Sequence, residues 1–357
     1  MLTWRVLNRT LLARQHLLAR STDDPLTMVD HLVGLQAQDN LPPYLSLAAR
    51  LEDFDPKALS ATLEERTTVR LLLMRGTIHL VTNEDATVLR AMVQESLVRQ
   101  MKATAFARHS ADLDPATLAA TVTEILTDGP LAVRTLGARL AGKFADHDPG
   151  HLANTARVLV ALPQVPPRGL WRRSGGPAYA LLEQWTGRSP TERTDVAGVA
   201  RRFLAAYGPA SVADIQTWSG LTGLRAVVDG MHDLVRLRDE AGKELLDLPG
   251  QRLASGDEPA PVRLLGKYDN VWLSHAARDR VTPDHAKRER WMGRNGGVGN
   301  VVLVDGVLDG LWRSGADGRV DVEPFRRLSR AEREELETEV GRVEALLATP
   351  AHNDSSA

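Results

Sequence analysis

Apolar residues recur along this chain at two spacings, near three and a half and two, and the alternation between them predicts its elements. The longer spacing predicts helices over 7–20, 25–38, 43–51 and 56–65, the last opened by the start signal Asp55-Pro56. Positions 68–73 and 77–81 read as strands joined by the short turn Met74-Arg75-Gly76, and Asn83 caps a long helix over about 84–108. Helix 25–38 begins well, with Asp24 placed to cap and Pro25 at the first helical position. Met28, Leu32 and Leu35 make one apolar row, and Val29 and Val33 make another that runs into Gln36. A second glutamine, Gln38, follows just before the stop at Pro42-Pro43. Two glutamines at the end of a helix are unexpected if that helix only packs a core. Side chains two apart on a helix diverge, so both face one cavity only if the helix unwinds near Gln38 or the cavity wraps its end.

The pattern then recurs. Helices over 115–127, 133–140 and 150–162 precede a predicted hairpin of 169–173 and 178–181 around the tip Ser174-Gly175-Gly176-Pro177. Helices over 195–206, 211–218 and 222–234 precede a hairpin spanning 234–248 that turns at Glu240-Ala241-Gly242. Gly129-Pro130 and Gly208-Pro209 occupy equivalent places at the end of a module's first helix, which marks a degenerate internal repeat. Three helices followed by a hairpin is the layout of a winged helix. The predicted fold is therefore mainly α with β-hairpins, an α+β chain of tandem winged-helix modules at 1–108, 109–190 and 191–260. A β-rich region follows over 261–348, with strands expected in 261–273, 298–304 and 307–312, a turn at Asp305-Gly306, and a closing charged helix after Ser329. Residues 349–357 read as a disordered tail.

Composition narrows the chemistry. With 357 residues, 43% hydrophobic and 25% charged, the chain is globular and large enough for several domains. No apolar run is long enough to cross a membrane, and the start leads into an amphipathic helix instead of a signal peptide. The absence of cysteine excludes disulfides, thiolate catalysis and cysteine-held zinc, and suits the cytoplasm. A net charge of −2 gives nucleic-acid binding no bulk support, so any such binding uses local basic patches.

Several side chains stand out, each with a plainer reading beside it. Arg75 and His79 flank Thr77 on the first hairpin; a histidine on an apolar strand is often a satisfied structural group. Arg168, Trp171, Arg172 and Arg173 make a basic hairpin with one aromatic, either a DNA-contacting wing or a solvated wing with a packed tryptophan. Lys267, Asp269, Asn270, His275 and Arg278 cluster near a strand end, as site residues or as a structural polar network. His147, Asp148 and His151 read as a loop and helix cap and not as a metal site. Gly296-Gly297-Val298-Gly299 lacks the lysine and helix of a phosphate loop. No cofactor or metal is called for.

Four motifs taken together carry a family resemblance over almost the whole chain: Gly34-Leu35-Gln36-Ala37-Gln38, Met74-Arg75-Gly76-Thr77-Ile78-His79-Leu80, Pro166-Pro167-Arg168-Gly169-Leu170-Trp171, and Tyr268-Asp269-Asn270-Val271-Trp272-Leu273-Ser274-His275-Ala276. The chain resembles the AlkZ-type DNA glycosylases, bacterial proteins built from tandem winged helices. The resemblance implies excision of N7-alkylated guanine, including bulky or crosslinked adducts of DNA-alkylating natural products, by a monomer acting on duplex DNA. It implies that Gln36 and Gln38 are catalytic and that Arg75 and His79 lie near the lesion cleft. A related branch has aspartate at the second position, so Gln38 points to the branch associated with self-resistance to such antibiotics.

The chemistry holds without the resemblance. Ordinary glycosidases need a carboxylic acid for the leaving group and a carboxylate for the water or sugar. An N7-alkylguanine is already cationic and leaves as a neutral base, so no general acid is required. The sugar cation that develops is very electrophilic, and water needs placement more than deprotonation, which an amide supplies. The motif contains no lysine, so neither a Schiff base nor strand cleavage is suggested. Two other readings remain: a winged-helix transcription regulator without catalysis, and a protein that sequesters the alkylated product without chemistry.

Overall fold

The computed structural model describes residues 1–103, 112–189, 191, 194–292 and 299–352. The end of the predicted helix 84–108, most of the glycine run 296–299, the first residue of the strand predicted at 298–304 and residues 353–357 of the predicted tail lie outside the described residues.

The first run of elements is α1 (Trp4–Arg14), α2 (Pro25–His31), β1 (Leu35–Gln36), α3 (Pro42–Arg50), α4 (Pro56–Glu64), β2 (Thr68–Leu72), a single 3-10 turn at Met74–Gly76, β3 (Ile78–Thr82) and α5 (Asn83–Lys102). Aspartates at 24 and 55 cap α2 and α4 by accepting from the first-turn N–H groups, with proline at the first helical position of each. Helix α1 is shorter than the predicted 7–20 because His16 takes a left-handed φ of 52°, which an α-helix does not accommodate. β1, β3 and β2 form an antiparallel sheet in that order.

The second run is α6 (Pro115–Leu126), β4 (Leu131–Ala132), α7 (Val133–Ala141), α8 (Pro149–Leu159), β5 (Ala178–Tyr179) and α9 (Leu182–Thr186). Asp148 caps α8 through His151 N–H at 2.9 Å, the role read from the sequence. The hairpin predicted here is not formed. Residues 169–173 carry no strand; β5 pairs with β4, and Gln164 bridges Arg70 of β2 and Tyr179 of β5. The third run is α10 (Val196–Tyr207), α11 (Val212–Ser219), α12 (Arg225–Asp229), β6 (Val235–Arg238) and β7 (Glu244–Asp247), with Ala210 bridging to Leu246. Helix 222–234 shrinks to the short α12. The repeated unit is thus helix, short extended stretch, helix, helix, then a returning strand or hairpin. The short stretches, β1, β4 and Ala210, follow Gly34, Gly129-Pro130 and Gly208-Pro209.

The last region holds β8 (Arg263–Leu265), α13 (Asn270–Leu273), α14 (His285–Met292), β9 (Asn300–Val304), β10 (Val307–Ser314), β11 (Val320–Pro324) and α15 (Arg330–Ala348). The sheet order is β11-β10-β9-β8. The strand predicted over 261–273 is confined to β8 and gives way to α13, and β11 was not anticipated. Its outward positions are charged, which masks a strand pattern. Ser329 and Glu332 cap α15 reciprocally.

Two cores result. Leu118, Val122, Leu126, Leu136, Leu140 and Leu152 belong to a core confined to the second run. The first run, the third run and the C-terminal region share the other, which includes Leu32, Val33, Leu35, Tyr207 and Trp272. β1 therefore lies where three parts of the chain meet. A buried, bidentate pair between Arg50 of α3 and Asp269, both bonds 2.8 Å, ties the C-terminal region to the first run. Gln15 accepts from the same guanidinium at 3.0 Å. Removing one partner of such a pair leaves a buried charge and costs about 3–5 kcal/mol.

Candidate active site around the glutamine strand

The predicted helix 25–38 stops at His31. Val33 and Gly34 take left-handed φ values of 51° and 92°, and the chain leaves them extended. A Cβ on Gly34 would lie 2.5 Å from Val81 Cγ1, so the turn requires glycine both for its φ and for the closeness of β3. Two side chains from other parts of the molecule hold the turn. Tyr207 of α10 donates its hydroxyl to Leu32 O at 2.6 Å, and Asn270 of α13 donates Nδ2 to Gly34 O at 2.9 Å and to Tyr207 Oη at 2.7 Å. These tertiary bonds win over a helical pattern that runs on in the sequence, and β1 replaces the end of the helix. The row Val29, Val33, Gln36 is not a helical face at all.

β1 is antiparallel to β3, with Leu35 opposite Leu80 and Gln36 opposite His79. The main chain of the motif is fixed on both sides. Ala37 N–H donates to Ile78 O at 2.7 Å, and Ala37 O accepts from Arg70 Nη2 at 2.8 Å. Gln36 is 8% exposed, and its Oε1 accepts from Arg75 Nη2 at 3.1 Å. Gln38 is exposed, and its Oε1 accepts from the Ile78 N–H at 3.2 Å. Both donors lack any acceptor capacity, so each amide is held with its oxygen toward the protein donor. Each carbonyl oxygen keeps a second lone pair, and neither amide nitrogen has a hydrogen-bond partner among the described residues. The arrangement offers two oriented acceptors at the mouth of a strand end, one sheltered and one open.

His79 is buried. Its Nδ1–H donates to Thr77 O at 3.1 Å, which leaves Nε2 to accept from Arg75 Nη2 at 3.3 Å. Burial, and then the charge of Arg75, push its pKa down to about 3, so the ring is neutral at physiological pH. Arg75 has a left-handed backbone, φ 57° and ψ 17°, and also donates to Trp218 O. Burial lowers its pKa to about 10, which keeps it a cation.

The remaining sequence candidates separate. Trp171 is 1% exposed; it packs on Tyr44 and donates its indole N–H to Thr349 O at 3.1 Å, so it is a core residue and not a DNA-facing aromatic. Arg172, exposed, donates to Leu347 O at 2.6 Å and Arg173, half-buried, to His352 O at 3.3 Å, so both guanidinium groups also touch the end of the chain. Asn270 and His275 are 5% and 4% exposed and form part of the polar network behind β1, which corrects their reading as DNA contacts. His275 Nε2 meets Tyr207 O at 3.2 Å, and burial followed by Arg280 lowers its pKa. Arg278 is half-buried against Trp291, 5.8 Å from the ring centre, and donates to Met292 Sδ at 3.5 Å. Arg168 and Lys267 do stay near the glutamines. Together with Asp39, Asn40, Leu41 and Asn300 they line an open cleft of about 540 Å³ that begins one residue past Gln38, and Lys267 is ion-paired with Asp39.

Three residues that shape the site were not picked out in the sequence. Arg70 is an arginine inside the apolar run Val69–Leu73, a visible anomaly. Tyr207 and Trp218 carry no local signal, because both act from the third run of elements.

A family model described as DNA glycosylase AlkZ-like matches residues 29–346. The interstrand DNA cross-link repair glycosylase of Streptomyces sahachiroi is 25% identical over 360 residues, covering 96% of this chain and 95% of that protein. The solved structure of the Streptomyces sahachiroi DNA glycosylase AlkZ is similar with a TM-score of 0.84 at 22% identity, covering 98% of this chain and 97% of that one.

Proposed function

This chain belongs to the AlkZ-like DNA glycosylase family, and from that premise we propose that it hydrolyses the N-glycosidic bond of N7-alkylated guanines in duplex DNA. We include crosslinked adducts among the substrates, since the Streptomyces sahachiroi relative is an interstrand DNA cross-link repair glycosylase, and bulky adducts with them. The protein acts as a monomer, with its repeated units serving as winged-helix modules that grip the duplex, and a role in self-resistance to DNA-alkylating antibiotics fits this substrate.

The observation that carries the reading is the pair of amide oxygens, each fixed by a protein donor and each keeping one free lone pair. Water held between them donates its hydrogens to Gln36 Oε1 and Gln38 Oε1 and turns its own lone pair toward the anomeric carbon. No proton need be removed before attack, because bond breaking runs ahead of bond making when the leaving base is cationic; once the new C–O bond has formed, the oxygen loses its extra proton to bulk water. No acid is needed for that base, and the neutral His79 offers none. A neutral pair also avoids the strong field of two carboxylates, which would assist the departure of ordinary bases as well. Placement of this kind replaces a bimolecular encounter by an oriented one.

The test is incubation with duplex DNA containing N7-methylguanine, followed by alkaline cleavage at abasic sites. Release of free N7-methylguanine is expected, and EDTA leaves it unchanged. Replacing Gln36 and Gln38 together by Ala abolishes release and keeps DNA binding. Binding without release by the unmodified protein would show sequestration or regulation, and sink the proposal.

A further inference from the structure

The guanidinium of Arg75 has an unusual set of partners. All three acceptors are neutral: Gln36 Oε1, His79 Nε2 and the Trp218 carbonyl. No carboxylate pairs with it among the described residues. A half-buried cation with only neutral acceptors is costly to keep, and the backbone beneath it sits in the left-handed region at a further cost of about 1 kcal/mol or more. Nothing about stability requires this arrangement, since an apolar side chain at the turn would avoid the first cost and glycine the second.

We propose that Arg75 is a positioning residue that sets the direction of the Gln36 amide, and that the end of α11 holds Arg75 for that purpose. The inference rests on the reading of Gln36 as a water-holding residue. A guanidinium only donates, so it accepts a single orientation of the amide, oxygen inward. His79 completes the device. Its Nδ1–H is committed to Thr77 O, so Nε2 is available as an acceptor and fixes the Arg75 fork in the plane that reaches Gln36. The other side is closed by the third run. A Cβ on Gly220 would lie 3.0 Å from Arg75 N, and Ser96 of α5 donates its hydroxyl to Gly220 O at 2.8 Å. The first run supplies the glutamine, the third supplies the stop against which its orienting arginine rests.

A double-mutant cycle tests this. Single-turnover release of N7-methylguanine at saturating enzyme and duplex affinity by fluorescence anisotropy are measured for the unmodified protein, Arg75→Met, Arg75→Lys, Gln36→Ala and Gln36→Ala/Arg75→Met. Arg75→Met is expected to slow release about 100-fold, the effect of misplacing a reacting group by roughly 1 Å, with affinity within twofold. Arg75→Lys recovers part of the rate, and the double variant is no slower than Gln36→Ala alone. Rate losses that multiply would overturn the inference and place Arg75 on the DNA; an unchanged Arg75→Met rate would also overturn it. If Arg75→Met does not fold, Gly220→Ala, which displaces Arg75 and leaves every site side chain chemically unchanged, is expected to give the same loss of rate at constant affinity, and an unchanged rate there overturns the inference. An inactive unmodified protein would instead refute the glycosylase reading on which the inference stands.

Discussion

His79 refuses a proton that the same residue accepts in the unfolded chain. Its pKa is about 3 when folded and near 6.5 when unfolded, so its contribution to stability is complete above 6.5 and is lost as pH falls below it. Between pH 6.5 and 5 the loss approaches about 1.4 kcal/mol per pH unit. Urea unfolding at pH 7.5 and 5.5 should show a drop in midpoint that is smaller in His79→Gln. An equal drop in both proteins would mean that the ring takes up its proton as readily in the folded state as in the unfolded chain. At Gln36, Ala substitution removes the sheltered acceptor and is expected to slow base release about 10²–10⁴-fold. Gln38→Asp keeps an acceptor at the open position and retains a measurable rate. Equal, unaltered rates in both variants would remove these side chains from the chemistry.

Elements matter here through the junction between α2 and β1. Gly34→Ala forces a side chain into the left-handed region and against Val81. A destabilisation of about 1–3 kcal/mol is expected, together with displacement of β1 from β3 and loss of base release. Asn270→Ala removes the donor shared by Gly34 O and Tyr207 Oη, at a cost of about 1–3 kcal/mol, while the turn remains sterically allowed. Thermal unfolding together with single-turnover rates separates the two. Asn270→Ala should lower the melting temperature and keep part of the activity, whereas Gly34→Ala should lose both. An Asn270→Ala protein as stable as the original would show that the turn is held by α2 and β3 alone.

At the scale of the whole molecule, a net charge of −2 leaves DNA binding to local groups of cations, and those near the glutamines are the candidates. Arg168 and Lys267 line the cleft beyond Gln38. Changing both to Ala should weaken binding to damaged and undamaged duplex alike and flatten the salt dependence by about one to two units. Changing Arg172 and Arg173 instead should leave the slope alone and lower the unfolding midpoint, because their guanidinium groups hold the carbonyls of Leu347 and His352. A slope reduced only in the second pair would put the DNA in the neighbouring cleft, which Arg172 and Arg173 line on the other side of Asn40 and Leu41.

Helices with a proline start and an aspartate cap were legible from the chain alone, as α2, α4, α6 and α8 show, because their signals are local and lie within one turn. The hairpin of β2 and β3 was legible for the same reason, and so was the glutamine pair, since polar residues in an apolar row stand out without any partner. The strand identity of Leu35 and Gln36 was not. It depends on Tyr207 and Asn270, which are more than 160 residues away and outcompete a helical pattern that continues past them. Nor did the sequence show which face the basic residues near 170 occupy, because the groups that claim them lie at the far end of the chain. Local chemistry decided which residue types stand at each position; only long-range packing decided that the glutamine oxygens are held, that the arginine holding one of them is itself held by the third run, and that a tryptophan read as part of a wing is buried in the core.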